Sequence, residues 1–240
     1  MMMLYVYGIV GSPSFDAVVS GHEGAGVFPV RYGDVAAAAS ALSRGIAPEP
    51  QNVRCHEQVL EALMQQHAVL PLRFGTLVPD GDALRDKLRR MYSALTRDLT
   101  RLGGKVEFAL RVTGIAKDCP LVPDAEQRSD GAEPLPPGKG YLLARAERLR
   151  ERSAREDIAK RVEHMLRPHL DPAADDAVWE PAAQRCMTLC ASYLVGRSGM
   201  SRFVDAVDDA CGRYPELNVT CTGPWAPYSF VTARPDEAWQ

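Results

Sequence analysis

The sequence AVLPLRFGTLVPDGDALRDKLRRMYSALTRDLTRLGGKVEFALRV, residues 68–112, decides the fold class. Residues 68–74 are rich in β-forming side chains and predict a strand. Leucine and methionine recur at helical spacing from Asp82 to Leu102, which predicts a long helix that ends at Gly103-Gly104. Residues 106–112 then alternate apolar and polar side chains, as a half-buried strand does. Strand, helix and strand with short loops favour a small sandwich of the ferredoxin-like type over a doubly wound nucleotide fold.

The residues before this block complete an N-terminal α/β unit. Residues 4–10 and 27–32 are apolar and β-rich, and they predict two strands. Residues 53–66 carry apolar side chains at helical spacing and predict an amphipathic helix. The alanine-rich run at residues 35–42 also predicts a helix, with Asp34 as its N-cap.

A second unit follows a stretch of different composition. Residues 140–170 predict a long charged helix, and residues 186–196 and 217–221 predict strands on either side of a helix that Ser201 caps. The stretch before this unit is rich in proline and acidic residues and has little apolar surface to bury, so it reads as a linker or a long surface loop. The predicted domains are 1–117 (N-terminal), 118–138 (linker) and 139–240 (C-terminal).

Composition bounds the class of protein. The chain has 240 residues, a formal net charge of −3 and a pI near 6.0, so no global basic field suggests nucleic-acid binding. No apolar run approaches the roughly 20 residues that span a bilayer. The apolar N-terminus lacks a basic region and reads as a first strand, which makes a cytoplasmic protein the default. The six cysteines form no C-x-x-C pair and read as reduced thiols.

The motifs of catalysis and ligand binding are missing. His56-Glu57 begins an H-E-x-x-H zinc helix, but Leu60 stands at the fifth position. The glycine-rich GHEGAG, residues 21–26, lacks the third glycine of a dinucleotide loop and reads as a mobile turn. No G-x-S-x-G elbow marks a nucleophile. We therefore expect no catalytic residue, no cofactor and no metal, although a triad can assemble across a fold rather than along a sequence.

Two strings are not explained by composition. In VLPLRFGTL, residues 69–77, Arg73 stands at a strand end, where it binds an anion or packs locally and forms a salt bridge. In GPWAPYSFV, residues 223–231, two prolines set Trp225, Tyr228 and Phe230 in an extended strip that is neither helix interior nor central strand. Such a strip either binds a partner or folds back on its own domain. Because it directly follows a predicted strand, packing of Trp225 onto the C-terminal domain is the favoured first role.

Five strings in this order resemble the gas vesicle protein F/L family (GvpF/GvpL), and they cover nearly the whole chain except the linker. They are LYVYGIV (4–10), HEQVLEALMQQHAVLPLRFGTL (56–77), GKVEFALRV (104–112), ASYLVGRSGMSRFVDAV (191–207) and GPWAPYSFV (223–231).

The resemblance implies a non-enzymatic accessory protein of gas vesicle assembly. It implies an α+β protein of two domains, a modified ferredoxin-like N-terminal sandwich and a smaller C-terminal α+β domain. It also implies the hydrophobic main shell protein and other accessory proteins as partners, a role in nucleation or as a minor vesicle component, and a place at the gas vesicle in the cytoplasm. The candidate partner-binding or structural residues are Leu72, Arg73, Phe74, Trp225, Tyr228 and Phe230.

Two other classes of function stay open. The first is a small-ligand-sensing ferredoxin-like module, with the GHEGAG turn and Arg73 as its site. The second is an uncharacterised hydrolase or transferase, which would need a water-excluding pocket with convergent polar groups.

Overall fold

The computed structural model describes residues 2–15, 20–115, 137–181 and 187–233. Their elements in chain order are β1 (Met3–Val10), β2 (Phe28–Tyr32), β3 (Val35–Leu42), α1 (Pro50–Met64), β4 (Val69–Pro71), β5 (Leu77–Val78), α2 (Gly81–Leu102), β6 (Lys105–Ile115), α3 (Pro137–Leu170), β7 (Asp176–Pro181), β8 (Met187–Gly196), α4 (Met200–Arg213) and β9 (Leu217–Trp225).

The contacts of the chain separate into two compact units. The first comprises Met1–Glu107 together with Gly223–Gln240, and the second comprises Phe108–Thr222. Most of the predicted linker lies outside the described residues, so the predicted domains 1–117, 118–138 and 139–240 stay a prediction. The mixed α+β class is confirmed, with antiparallel sheets and helices in both units.

An antiparallel sheet of order β2-β3-β1-β4 forms the first unit, and the short β5 also pairs with β1. Helices α1 and α2 both contact this sheet. The α1 side chains Val59, Leu60 and Leu63 share a buried cluster with Tyr5 and Tyr7 of β1. Along α2, leucines at helical spacing are buried in the same way (Leu84, Leu88, Leu95, Leu99 and Leu102).

Strand β3 corrects the prediction of a helix at residues 35–42. Its sequence VAAAASAL is made of good helix formers, but seven of its eight residues are buried and it lies between β1 and β2. Cover on both faces of a strand overrides helix propensity. The turn Gly33-Asp34 joins β2 to β3, pairs Tyr32 with Val35 and places Gly33 at φ +56°. Glycine-aspartate between two apolar runs is a hairpin signal, and it outweighs Asp34 as a helix cap.

The second unit packs α3 and α4 against a sheet of order β7-β8-β6-β9. Phe203 of α4 lies 5.1 Å from Phe108 of β6 and 5.0 Å from Tyr193 of β8, measured between ring centroids. Strand β7 was not predicted, because DAVWEP combines acidic residues with a proline and lacks clear alternation.

None of the helices that the structure describes is both long and apolar enough to cross a membrane.

Candidate functional site

Five rings form a buried cluster in the first unit. Tyr5 and Tyr7 extend from β1, His22 from the GHEGAG turn, His56 from α1 and Phe74 from the loop after β4. Tyr5 touches all four of the others, with centroid distances of 4.8 Å to Tyr7, 4.5 Å to His22, 5.7 Å to His56 and 6.0 Å to Phe74. Both histidines are buried to 1% exposure, so this cluster belongs to the core. We call it the ring cluster.

Both ring nitrogens of His56 are used within the ring cluster. The Tyr5 hydroxyl donates to Nδ1 at 2.8 Å, and Nε2–H donates to the carbonyl of Leu72 at 3.1 Å. The Tyr5 oxygen in turn accepts the N–H of Gly75 at 3.1 Å. This arrangement requires the neutral imidazole, and burial lowers the pKa of His56 to about 4.

His22 is held by its backbone rather than by its ring. Its N–H donates to the Tyr7 hydroxyl at 3.0 Å, while neither ring nitrogen has a hydrogen-bond partner among the residues that the structure describes. The ring meets Tyr5 nearly edge-on, at 74°, an orientation compatible with an N–H facing the π system. Burial lowers the pKa of His22, against the opposing charge of Glu23. With His22 buried, the GHEGAG turn serves the core, which argues against a ligand site built on this turn.

The three candidate residues after β4 divide between core and surface. Leu72 is buried, and its N–H donates to the carbonyl of Tyr7 at 2.9 Å. Phe74 is partly buried in the ring cluster, 5.8 Å from His22. Arg73 is exposed, and its carbonyl accepts from Thr76 in the turn that leads to β5. Leu72 and Phe74 therefore support the fold of the first unit, and Arg73 lies on its surface.

The C-terminal strap, residues 226–233, returns to the first unit. The Tyr228 hydroxyl donates to Glu57 of α1 at 2.8 Å, and Phe230 is buried. Tyr228 packs against the buried cluster that Phe74 also touches, so the structure brings these two candidates together. Trp225, just before the strap, is 43% exposed and belongs to the first unit. Trp225 also ends β9, a strand of the second sheet, so the expectation that Trp225 packs onto the C-terminal domain stays a prediction.

Two buried carboxylates bind the strap. Asp98 of α2 accepts the backbone N–H groups of Thr232 at 2.7 Å and Ala233 at 2.8 Å, and the Thr232 hydroxyl at 2.8 Å. Glu107 accepts the backbone N–H and the hydroxyl of Ser229 at 2.9 and 2.7 Å. Burial by itself raises the pKa of Asp98, but the hydrogen bonds from Thr232, Ala233 and Arg101 outweigh it and lower that pKa.

Sequence reasoning missed these carboxylates, although one signal was present. Asp98 stands between Leu95, Leu99 and Leu102 on the apolar face of α2, where an unpaired carboxylate is costly. Its position therefore indicated a buried partner. The sequence around Asp98 does not identify that partner, because Thr232 lies 134 residues further along the chain.

The carboxylates of this site bind backbone and side-chain groups of the protein's own strap. Among the described residues, no group of three or more histidine, cysteine, aspartate or glutamate side chains is placed to hold a metal ion. Asp98, Glu107 and Glu57 all bind the strap. Fold and site together define a two-unit α+β protein in which carboxylates fasten the C-terminal end of the chain onto the N-terminal sheet unit.

The chain belongs to the family described as gas vesicle synthesis protein GvpL/GvpF, whose model matches residues 3–232. It is 31% identical to gas vesicle protein L of Streptomyces sp. (strain CB03234), over 95% of this chain and 92% of that protein. It is 27% identical to gas vesicle protein F1 of Halobacterium salinarum, over 95% of this chain and 92% of that protein. These comparisons confirm the resemblance.

Solved structures show the same fold. The crystal structure of the gas vesicle protein GvpF from Anabaena sp. PCC7120 matches with a TM-score of 0.74 at 21% identity, over 97% of each chain. GvpF from Microcystis aeruginosa matches with a TM-score of 0.73 at 21% identity, over 96% of this chain and 99% of that one.

Proposed function

We propose that this chain is a non-enzymatic accessory protein of gas vesicle assembly that binds the hydrophobic main shell protein. The observation that carries the proposal is the family match over residues 3–232, since the relatives that share it are named gas vesicle proteins F and L. The protein acts at the gas vesicle in the cytoplasm, in nucleation or as a minor vesicle component, together with other accessory proteins.

The chemistry of the shell explains why such a partner is needed. Shell monomers that assemble into gas-enclosing ribs expose large apolar surfaces before assembly, and exposed apolar patches and strand edges aggregate. A folded partner covers them by apolar docking or by adding a strand to its sheet. A family member in this role needs exposed apolar surface and open sheet edges rather than a catalytic pocket.

The first unit is the candidate for that contact. Trp225 is 43% exposed and Phe28 is 39% exposed, which is unusual for aromatic side chains of this size. The six residues singled out in the sequence then take different parts. Leu72, Phe74, Tyr228 and Phe230 support the surface from within, while Arg73 and Trp225 remain on it as candidate contacts.

Co-expression with the main shell protein tests the proposal. The affinity-tagged full chain is expected to retain shell protein through purification, and Trp225→Glu is expected to retain several-fold less. Val204→Glu is the matched control, since Val204 has nearly the same exposure, 41%, but lies on α4 of the second unit. Trp225→Glu leaves the Tyr228 hydrogen bond to Glu57 intact, which a Tyr228 variant does not.

Two results would contradict different parts of the proposal. Wild-type chain that retains no more shell protein than the tag alone contradicts the proposed function. Equal losses in the Trp225 and Val204 variants, with unchanged melting temperatures, contradict the assignment of the contact to the first unit.

A further inference from the structure

A groove opens beside β2, at the edge of the first sheet. The sheet order places β2 at the end of the path, and among the described strands it pairs with β3 alone. The groove has a volume of about 470 Å³ and is lined by apolar side chains and two arginines: Leu4, Phe28, Pro29, Val30, Arg31 and Arg85. We call it the β2 groove.

The apolar part of the β2 groove is accessible. Phe28 is 39% exposed, although the next inward-facing residue, Val30, is buried. Side chains two apart lie on the same face of a strand, so Phe28 continues the apolar face of β2 beyond the cover that α2 provides. An exposed phenylalanine over a groove is a place where a partner's apolar side chain gains contact area.

Of the two arginines that line the groove, one is neutralised by an ion pair, and the other has no ion pair within the described ranges. Arg31 is exposed and forms no ion pair with any residue in the described ranges, whereas Arg85 is paired with Asp82. Helix α2, which contributes Arg85, carries six cationic side chains against three carboxylates, in a chain whose net charge is −3. A guanidinium without an ion pair at the rim of an apolar groove is complementary to a carboxylate beside an apolar side chain.

The backbone of β2 limits how a partner attaches. An edge strand offers N–H and C=O groups for an added strand, but Pro29 has no N–H to donate. A complete ladder along β2 is therefore interrupted, and side-chain anchors must contribute a larger part of the recognition. This favours a short extended segment over a long added strand.

We propose that the β2 groove binds a short extended segment of the main shell protein, with an apolar side chain against Phe28 and an adjacent carboxylate on Arg31. This inference rests on the proposed function and adds the place and the chemistry of the contact. It is independent of Trp225, which lies outside the residues that line the groove.

Affinity measurements with the full chain and the main shell protein test whether the positive charge of Arg31 contributes to binding. Arg31→Glu is expected to weaken binding about tenfold or more, because it places a carboxylate where a charge-assisted pair forms. Arg54→Glu is the control, because Arg54 is another exposed arginine of the first unit that pairs with no carboxylate in the described ranges. It is expected to change binding less than about twofold.

Photocrosslinking tests whether the shell protein contacts the β2 groove. A benzoylphenylalanine at position 28 is expected to crosslink the shell protein several-fold more than one at position 204, whose native residue has nearly the same exposure, 41% against 39%. The shell segment captured at position 28 should contain an aspartate or glutamate next to an apolar residue. Melting temperatures near wild type show that each variant is folded.

Failure of this inference is distinct from failure of the proposed function. If the wild-type chain does not bind the shell protein, both the proposed function and the assignment of the β2 groove are contradicted. If it binds but Arg31→Glu equals Arg54→Glu, or position 28 crosslinks no more than position 204, the β2 groove is not the contact and the proposed function stands. A captured segment without a carboxylate overturns the chemistry of the recognition.

Discussion

At the scale of single residues, Gly21 stands where no side chain fits. A Cβ at this position would lie 2.2 Å from the Tyr7 hydroxyl and 2.6 Å from the Ser40 hydroxyl. These two hydroxyls are joined at 3.3 Å, and the Ser40 hydroxyl donates on to the carbonyl of Gly26. Gly21, the first glycine of the GHEGAG turn, is therefore required by its packing against Tyr7, not by a bound phosphate.

Gly21→Ala is expected to lower the free energy of unfolding by about 1–3 kcal/mol, because the added methyl displaces buried, hydrogen-bonded groups. Chemical denaturation measures it. Gly26→Ala is the matched control in the same turn, since a Cβ there meets nothing within 4 Å. That variant should change stability by less than about 0.5 kcal/mol. Equal effects of the two substitutions would show that Gly21 is not packed against Tyr7.

His56 gives the first unit a pH dependence. Its pKa is about 4 in the folded protein and near its ordinary value of 6.5 in the unfolded chain. As pH falls, His56 is therefore protonated in the unfolded chain before it is protonated in the folded protein. The free energy of unfolding decreases for this reason as pH falls from about 6.5 toward 4. At pH 5 the loss is on the order of 2 kcal/mol. Burial lowers the pKa of His22 as well, which adds a loss of the same sign.

Other groups around the ring cluster modify this dependence. Burial raises the pKa of Glu57, so its contribution has the opposite sign and partly offsets the loss as pH falls. Burial also raises the pKa values of Tyr5, Tyr7 and Cys55, which therefore stay protonated throughout this window. Glu23, beside His22, is the remaining charged group that bears on the histidines.

Denaturation at several pH values tests the role of His56. His56→Gln is expected to be less stable at pH 7 and to show a smaller loss of stability between pH 7 and pH 5. The exposed His164 of α3 provides the control, and His164→Gln should keep the wild-type slope. A slope that His56→Gln leaves unchanged would contradict neutral, buried His56.

At the scale of elements, the strap depends on Asp98 more than on any other side chain. Asp98→Asn replaces a carboxylate that accepts three hydrogen bonds from the strap and one from Arg101 by an amide that cannot accept them all. We expect a loss of about 2–4 kcal/mol in the free energy of unfolding and faster hydrogen exchange at the amides of residues 228–233. Hydrogen exchange with mass spectrometry measures the second effect directly.

The control for this prediction lies on the same helix. Asp86 pairs with Arg89 at three-residue spacing, as Asp98 pairs with Arg101, but Asp86 is exposed and binds no strap. Asp86→Asn should change stability by less than about 0.5 kcal/mol. Unchanged exchange in the strap of Asp98→Asn would contradict the fastening role.

Local patterns predicted most elements, and tertiary context explains the exceptions. Alternation found β6, and helical spacing found α1 and α2 within a few residues, because each of these elements buries one regular face. The same logic failed for β3, which is covered on both faces and so has no periodicity to read. The strap was recognised as a rigid aromatic strip, but its anchors lie 122 to 171 residues away, and no local signal encodes such pairs.

At the scale of the whole molecule, five strings in a fixed order predicted the family, and the match over residues 3–232 confirmed it. The function is harder to infer from the structure, because most polar groups of the ring cluster and of the strap site form hydrogen bonds within the chain. At the surface of the first unit, Trp225 and Phe28 are exposed aromatic side chains, and the exposed Arg31 lines the same groove as Phe28. These side chains suit a protein that covers apolar surface on a partner.

The most direct measurement follows shell protein that is diluted out of denaturant, with turbidity as the readout. With an equimolar amount of the full chain, we predict that turbidity falls by half or more, and that Arg31→Glu loses most of this effect while Arg54→Glu keeps it. Turbidity that is the same with and without the wild-type chain would contradict the claim that this protein binds and covers the apolar surface of the shell protein.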